Sequence, residues 1–183
     1  MKEIPLIIDK EKIYFDNGEI VMHEWEYPLM KAKADFVCQN KGDILEFGFG
    51  MGISATYIQY HNVSSHTICE IHPQILEKLY EWAKDKPNII ILEGDWIDNV
   101  KNFTKYDGIL FDTHRELNIK FLRQNILNWA KNRCNITWFN SFSLEHNLLR
   151  LPNVTYNIID VNPPKNTYFN KTKYYMPQYT HKI

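Results

Sequence analysis

Cysteine is scarce in this chain, and neither sign of charge dominates. Three cysteines in 183 residues, Cys38, Cys69 and Cys134, are too few and too scattered for a disulfide framework. Free thiols in a reducing compartment follow, and with them a cytoplasmic location is expected. A formal charge of −1 and a pI near 6.6 provide no broad basic surface, so a nucleic-acid partner is not expected. No apolar run is long enough to cross a membrane, and the opening Met1-Lys2-Glu3-Ile4-Pro5 lacks a signal-peptide core. There is no internal repeat, low-complexity tract or linker, and the length suits one domain over residues 1–183. Glycine is sparse too, at seven residues, yet three of the seven alternate within five positions.

Those three lie in Asp43-Ile44-Leu45-Glu46-Phe47-Gly48-Phe49-Gly50-Met51-Gly52-Ile53. An apolar run followed by alternating glycines reads as a buried strand, a tight turn and a helix start. Glycine tolerates positive φ and lets a ligand approach the backbone, and the following helix would aim free N–H groups at it. Glu70 ends the next apolar run, about 20 residues on, where a ribose-binding acid is expected in a nucleotide-binding βαβ unit. The dinucleotide fingerprint G-x-G-x-x-G needs its last glycine one position later than Gly52. Glu46-x-Gly48-x-Gly50-x-Gly52 instead resembles motif I of class I S-adenosylmethionine (SAM) methyltransferases.

Strand-like runs alternate with helix-like segments from Asp43 onward. Strands are expected at Asp43–Phe49, His66–Ile71, Asn88–Glu93, Tyr106–Asp112, Asn135–Asn140, Thr155–Val161 and near Lys173–Tyr179. Helices are expected at Ile53–Tyr60, Pro73–Lys84 and Leu117–Arg133. Pro73 suits a first helical turn. The expected fold is therefore α/β and Rossmann-like, a mostly parallel seven-stranded sheet with helices on both faces. The turn-forming Asn162-Pro163-Pro164-Lys165-Asn166 would join the last two strands as an antiparallel hairpin. Ahead of this core of residues 41–183, Ile4–Ile8, Lys12–Phe15 and Glu19–Met22 bracket the hairpin signal Asn17-Gly18. Tyr27–Asn40 reads as a helix. Residues 1–40 are thus a candidate lid or substrate segment.

Several side chains could carry chemistry, each with a plainer reading beside it. Asp112 closes a strand, where ligands of open α/β sheets bind, or it caps a helix. Glu26, in Glu24-Trp25-Glu26, is an acid favouring a helix start; beside Asp112 it would instead grip a cation. A guanidinium suits two carboxylates, because its forked donors match them bidentately. Asp95 and Trp96 follow the third strand and suit an adenine, or Trp96 is simply core. Ser141 and Phe142 follow the fifth strand, as pocket lining or as an N-cap region for Leu144–Leu149. His66, Cys69 and His72 have metal-like spacing, but on a strand residue 69 points away from the other two, so no metal is expected.

Three stretches together resemble guanidinoacetate N-methyltransferase and its relative, protein arginine δ-N-methyltransferase. They are Val21-Met22-His23-Glu24-Trp25-Glu26-Tyr27-Pro28-Leu29-Met30, the glycine turn, and Tyr106-Asp107-Gly108-Ile109-Leu110-Phe111-Asp112-Thr113. The resemblance runs from about Ile13 to the C-terminus. It implies SAM as cofactor, with contacts from Met22, Met30, Gly48, Phe49, Gly50, Met51, Gly52, Ile53, Ser54, Glu70, Ile71, His72, Trp96 and Ile97, to which Asp95 and Asp112 are added. It implies that Glu26 and Asp112 hold and activate the guanidinium, and that Ser141 and Phe142 line the substrate site. Tyr174-Tyr175-Met176-Pro177-Gln178 is similar to the tail of the guanidinoacetate enzymes. Glu70-Ile71-His72-Pro73, Gly52 and Asp112-Thr113-His114-Arg115-Glu116 look more like the arginine group. An ankyrin-type N-terminal region usual in fungal members of that group is not seen. Asp95 stands where the relatives have Leu or Arg, and the chain is short between Asn140 and Thr155.

The expected activity is methyl transfer from SAM to a guanidino nitrogen of a small molecule. A protein arginine acceptor is the alternative, and a non-catalytic SAM-binding module a further one. Oligomeric state leaves no trace in the sequence.

Overall fold

The computed structural model describes residues 4–114, 118–142, 144–165 and 167–183. It opens with a small antiparallel sheet of β1 (Leu6–Ile8), β2 (Lys12–Phe15) and β3 (Ile20–His23), in that order. The β2–β3 turn is the expected Asn17-Gly18 hairpin: Gly18 takes φ +85° and Asn17 Oδ1 accepts from Glu19 N at 2.9 Å. A 3₁₀ turn over Glu24–Glu26 leads into α1 (Tyr27–Val37), with Pro28 in its first turn.

The core then alternates β4 (Asp43–Phe47), α2 (Ile53–Tyr60), β5 (Ser65–Glu70), α3 (Pro73–Ala83), β6 (Ile89–Glu93) and β7 (Tyr106–Phe111). It continues with α4 (Ile119–Asn125), β8 (Ala130–Trp138), β9 (Thr155–Asp160) and β10 (Lys173–Thr180). These strands form one seven-stranded sheet in the order β6-β5-β4-β7-β8-β10-β9. β4 through β8 are parallel, and β10 runs antiparallel to both β8 and β9, giving the expected closing hairpin.

Alternation along the central strands divides the core. Leu45, Phe47, Cys69, Ile109 and Phe111 pack against α4 and the aromatic cluster of Trp96, Phe103 and Trp129. Ile44 and Leu110 face α1 and α2, while Ile68 packs with residues of α2 and α3. Strand order reverses between β4 and β7, so their carboxyl ends open a crevice, where ligands bind in such sheets. No described helix is long and apolar enough to cross a membrane.

One expected helix is much shorter than its pattern. Leu117 lies outside the described residues, α4 ends at Asn125, a 3₁₀ turn covers Ile126–Trp129, and β8 already starts at Ala130. Residues 130–133 are held as strand: Ala130 pairs with Tyr106, and Lys131 Nζ bonds both Asp43 and Asp107 at 2.6 Å. The register slips there, and Arg133 takes φ +68°. The segment 144–149 forms no helix either; Asn140 closes it as an Asx turn, accepting from Phe142 N at 3.1 Å and donating to Leu144 O at 2.9 Å.

Candidate active site

The glycine turn sits at the carboxyl end of β4. Gly48, Gly50 and Gly52 have φ of +85°, +53° and +71°, a region that side chains disfavour. The turn is also tightly enclosed. A Cβ at Gly48 would meet the Asp112 carbonyl oxygen at 2.6 Å, and one at Gly50 would meet Met22 Sδ at 2.6 Å. Gly48 thereby lets β4 and β7 deliver their ends side by side.

Two buried carboxylates brace this turn. Glu46 is fully buried on the helix side of β4, accepts from the Ser54 hydroxyl, and bonds His66 Nε2 at 2.8 Å. It ties β4 to α2 and β5. Glu70, at the end of β5, accepts from Phe49 N, Ile71 N and His72 N, each at 2.8 Å. Three backbone bonds use most of a carboxylate's roughly four acceptor positions. One position on Oε2 remains, which suits a single hydroxyl donor.

A cavity of about 750 Å³ opens over these strand ends. Of the sequence-expected residues, Met22, Met30, Gly48, Phe49, Gly50, Ser54, Glu70, Ile71, His72, Asp95 and Trp96 line it, together with Glu26, Asp112 and Ser141. Five others stand outside its wall. Met51, Gly52 and Ile53 border a separate shallow groove beside Tyr27, Tyr57 and Tyr60. Ile97 packs on the aromatic core behind Trp96. Phe142 is half exposed and its ring lies tilted against His146 at 4.2 Å, because the Asx turn at Asn140 swings it away. Trp96 is both core and wall: its ring packs edge-on against Phe47 at 5.6 Å.

The surroundings of Glu26 and Asp112 are built from four elements. Glu26 lies in the 3₁₀ turn before α1 and is buried. Its Oε1 accepts from His23 N at 3.1 Å and from the Tyr168 hydroxyl. Its Oε2 accepts from no described residue. Burial first, and the nearby Asp112 charge second, raise its pKa from 4.5 to about 7. Asp112, just past β7, accepts at Oδ2 from Lys33 Nζ at 2.6 Å; its Oδ1 accepts from no described residue. The Lys33 side chain is fully buried in α1, and its ammonium lies 4.9 Å from the Phe139 ring centre. Tyr168 comes from the loop between β9 and β10. Burial of its hydroxyl and the Glu26 charge push its pKa well above the usual phenol range. Phe169 stacks on Trp25 at 5.7 Å and anchors that loop. At the rim, His114 Nε2 bonds Glu19 Oε1 at 3.0 Å, tying the N-terminal hairpin to the end of β7. Sequence reasoning missed Lys33, Tyr168 and Phe139 as parts of this site.

A glycine turn after β4, an acid at the end of β5, and a cavity above them in a sheet ordered β6-β5-β4-β7-β8-β10-β9 define the class I methyltransferase fold. Solved structures agree at the level of fold. Spermidine synthase from Thermotoga maritima superposes with a TM-score of 0.67 at 14% identity, over 97% of this chain and 72% of that one. The N-methyltransferase NodS from Bradyrhizobium japonicum also gives 0.67, at 9% identity, over 87% and 97%. A family model described as guanidinoacetate N-methyltransferase matches residues 14–140. The chain belongs to that family. Among curated relatives, "Protein arginine N-methyltransferase 2" of Saccharomyces cerevisiae is 30% identical over 94% of this chain and 50% of its own length. Its namesake from Candida glabrata is 41% identical over 55% of this chain and 27% of its own length. The chain thus spans about half or less of the length of these relatives.

Proposed function

We propose that this protein transfers a methyl group from SAM to a guanidino nitrogen of arginine in a polypeptide. The observation that carries the reading is the convergence of Glu26 and Asp112 on one cavity, each with one carboxylate oxygen left open to a ligand. A planar cation with forked donors satisfies both. The polypeptide acceptor is supported by relatives named as protein arginine N-methyltransferases. It is preferred to the small-molecule acceptor expected from sequence, which keeps the support of the family's own description and of the Tyr174–Gln178 tail.

The residues present fit SAM. The open position on Glu70 Oε2 suits a ribose hydroxyl, and the cavity side of Trp96 with Asp95 suits an adenine. His72 lines the cavity with its Nδ1 buried and unpaired among the described residues, while its Nε2 is engaged by the Ile4 carbonyl at 3.0 Å. Ser54, the residue at the opening of α2 that lines the cavity, suits the methionine carboxylate. When bound, SAM supplies an electrophilic methyl on a sulfonium. The protein's task lies on the acceptor side. A guanidinium, with a pKa above 12, is a poor nucleophile until it gives up a proton. Glu26 and Asp112 hold it and draw positive charge away from the attacking nitrogen, and fixing that nitrogen in line supplies much of the acceleration.

Incubation with methyl-labelled SAM and arginine-containing peptides, beside guanidinoacetate, free arginine and agmatine, tests the reading by product mass. Label on peptide arginine is expected. Preferential methylation of guanidinoacetate would restore the small-molecule reading, and SAM binding without transfer to any acceptor would leave a silent binding module.

A further inference from the structure

The seven-stranded sheet ends at β6, and this edge is apolar and unguarded. It reads Ile89-Ile90-Ile91-Leu92-Glu93, with Ile90 48% exposed. Edge strands are ordinarily blunted by a lysine, a proline or a bulge, because their free backbone groups invite another strand. None of these interrupts β6. At the opposite edge, β9 carries the exposed polar residues Thr155, Asn157 and Asp160.

The outward backbone groups of β6 form a self-complementary set. Asn88 O accepts from His66 N and Gly94 N donates to Glu70 O, so Asn88, Ile90, Leu92 and Gly94 turn toward β5. Ile89, Ile91 and Glu93 therefore turn outward. Two of their groups are satisfied within the chain: Ile89 N donates to Lys86 O at 3.2 Å, and Glu93 O accepts from Asn99 Nδ2 at 2.9 Å. The Ile91 N–H and C=O, the Ile89 C=O and the Glu93 N–H have no partner among the described residues.

We infer that β6 pairs with β6 of a second copy of this chain, antiparallel and centred on Ile91, as the interface of a weak two-fold dimer. In that register Ile91 N–H donates to the partner's Ile91 C=O, and Glu93 N–H donates to the partner's Ile89 C=O, each twice by symmetry. Every free group is used. The only bond the register leaves out, Ile89 N to Glu93 O, joins the two groups that each chain already satisfies internally. A foreign strand would have to match this pattern, whereas a second copy matches it by symmetry. Side chains agree. Ile90 falls opposite the partner's Leu92, on the sheet face that packs against Trp96, and Ile91 meets its counterpart on the face covered by α3. The end bearing Lys84, Asp85 and Lys86 meets the end bearing Glu93, Asp95 and Asp98, net positive against net negative. Because the paired strands run in opposite directions, the two cavities open at opposite ends of the joined sheet. The inference does not depend on which acceptor is methylated.

With five residues a side the interface is small, so a dissociation constant on the order of 10–100 μM is expected. Sedimentation of the whole protein across that range should show the mean mass rising from 21.9 kDa toward twice that value. Backbone hydrogen exchange identifies the surface. The Ile91 and Glu93 amides should slow several-fold at the higher concentration, while those of Ile90 and Leu92, already bonded to β5, change little. Ile90→Lys, which alters a side chain exposed in the single chain, should weaken association by about tenfold or more. A mass fixed at 21.9 kDa well above that range overturns the proposal and leaves the edge to a different partner. Association without slowing of Ile91 and Glu93 overturns it too, whether or not Ile90→Lys folds, as does undiminished association of folded Ile90→Lys.

Discussion

Replacing Glu26 by glutamine should destroy the activity and strengthen the fold, and the size of the second effect follows from burial. The Glu26 carboxyl is almost solvent-free and sits near Asp112, which holds its pKa at about 7 against 4.5 for the free side chain. At about 1.4 kcal/mol per pH unit, ionising it in the folded state costs roughly 3 kcal/mol. Below pH 4.5 the acid is protonated in both folded and unfolded chains, and this cost is absent. Between 4.5 and 7 the unfolded chain releases the proton while the folded one retains it, so stability falls as pH rises. Above 7 the loss is complete. An amide keeps an oxygen to accept from both His23 N and the Tyr168 hydroxyl, but has no charge to bury. Urea unfolding at pH 4.5 and pH 8 is the assay. Glu26→Gln should match the wild type at the lower pH and exceed it by about 1–3 kcal/mol at the higher, about 3–10 °C in Tm for a chain of this length. Parallel pH dependences in the two proteins would refute the argument that Glu26 is held against its charge.

Three further outcomes follow from the site. Gly48→Ala should cost about 2–4 kcal/mol in urea unfolding, because the new Cβ meets the Asp112 carbonyl at 2.6 Å in a left-handed backbone. Glu46→Ala should cost about 3 kcal/mol by leaving His66 and Ser54 without their shared acceptor, with Glu46→Gln recovering part of it. Glu70→Ala should weaken SAM binding by about 10–100-fold in calorimetry, since it removes a hydroxyl acceptor and frees three backbone N–H groups, while Glu70→Gln falls between.

The parallel core was legible because its strands are apolar throughout and its breaks are marked by glycine, proline and acids. The span Ile53–Tyr60 is helical as expected, and β4, β5 and β7 end within two residues of their expected limits. Leu117–Arg133 misled because the apolar spacing of α4 runs on through Trp129, while what makes Ala130 a strand is its distant partner Tyr106. Phe142 misled in a different way: adjacency in sequence to Ser141 did not carry it into the cavity. Lys33 did leave a trace. The buried residues of α1 are Leu29, Met30, Lys33, Ala34, Phe36 and Val37, and a lysine inside that stripe announces a buried partner. Tyr168 left none, since its place depends on Phe169 packing against Trp25 across 144 residues of chain. Local pattern locates the glycine turn and Glu70; the surroundings of Glu26 and Asp112 are assembled by contacts distant in sequence.

The most direct test of the account is the position of a guanidinium in a crystal of the protein grown with S-adenosylhomocysteine and an arginine-containing peptide. The account places the guanidino group between Glu26 Oε2 and Asp112 Oδ1, with the Lys33–Asp112 contact intact. A guanidino group lodged elsewhere, with both oxygens still open, would contradict it.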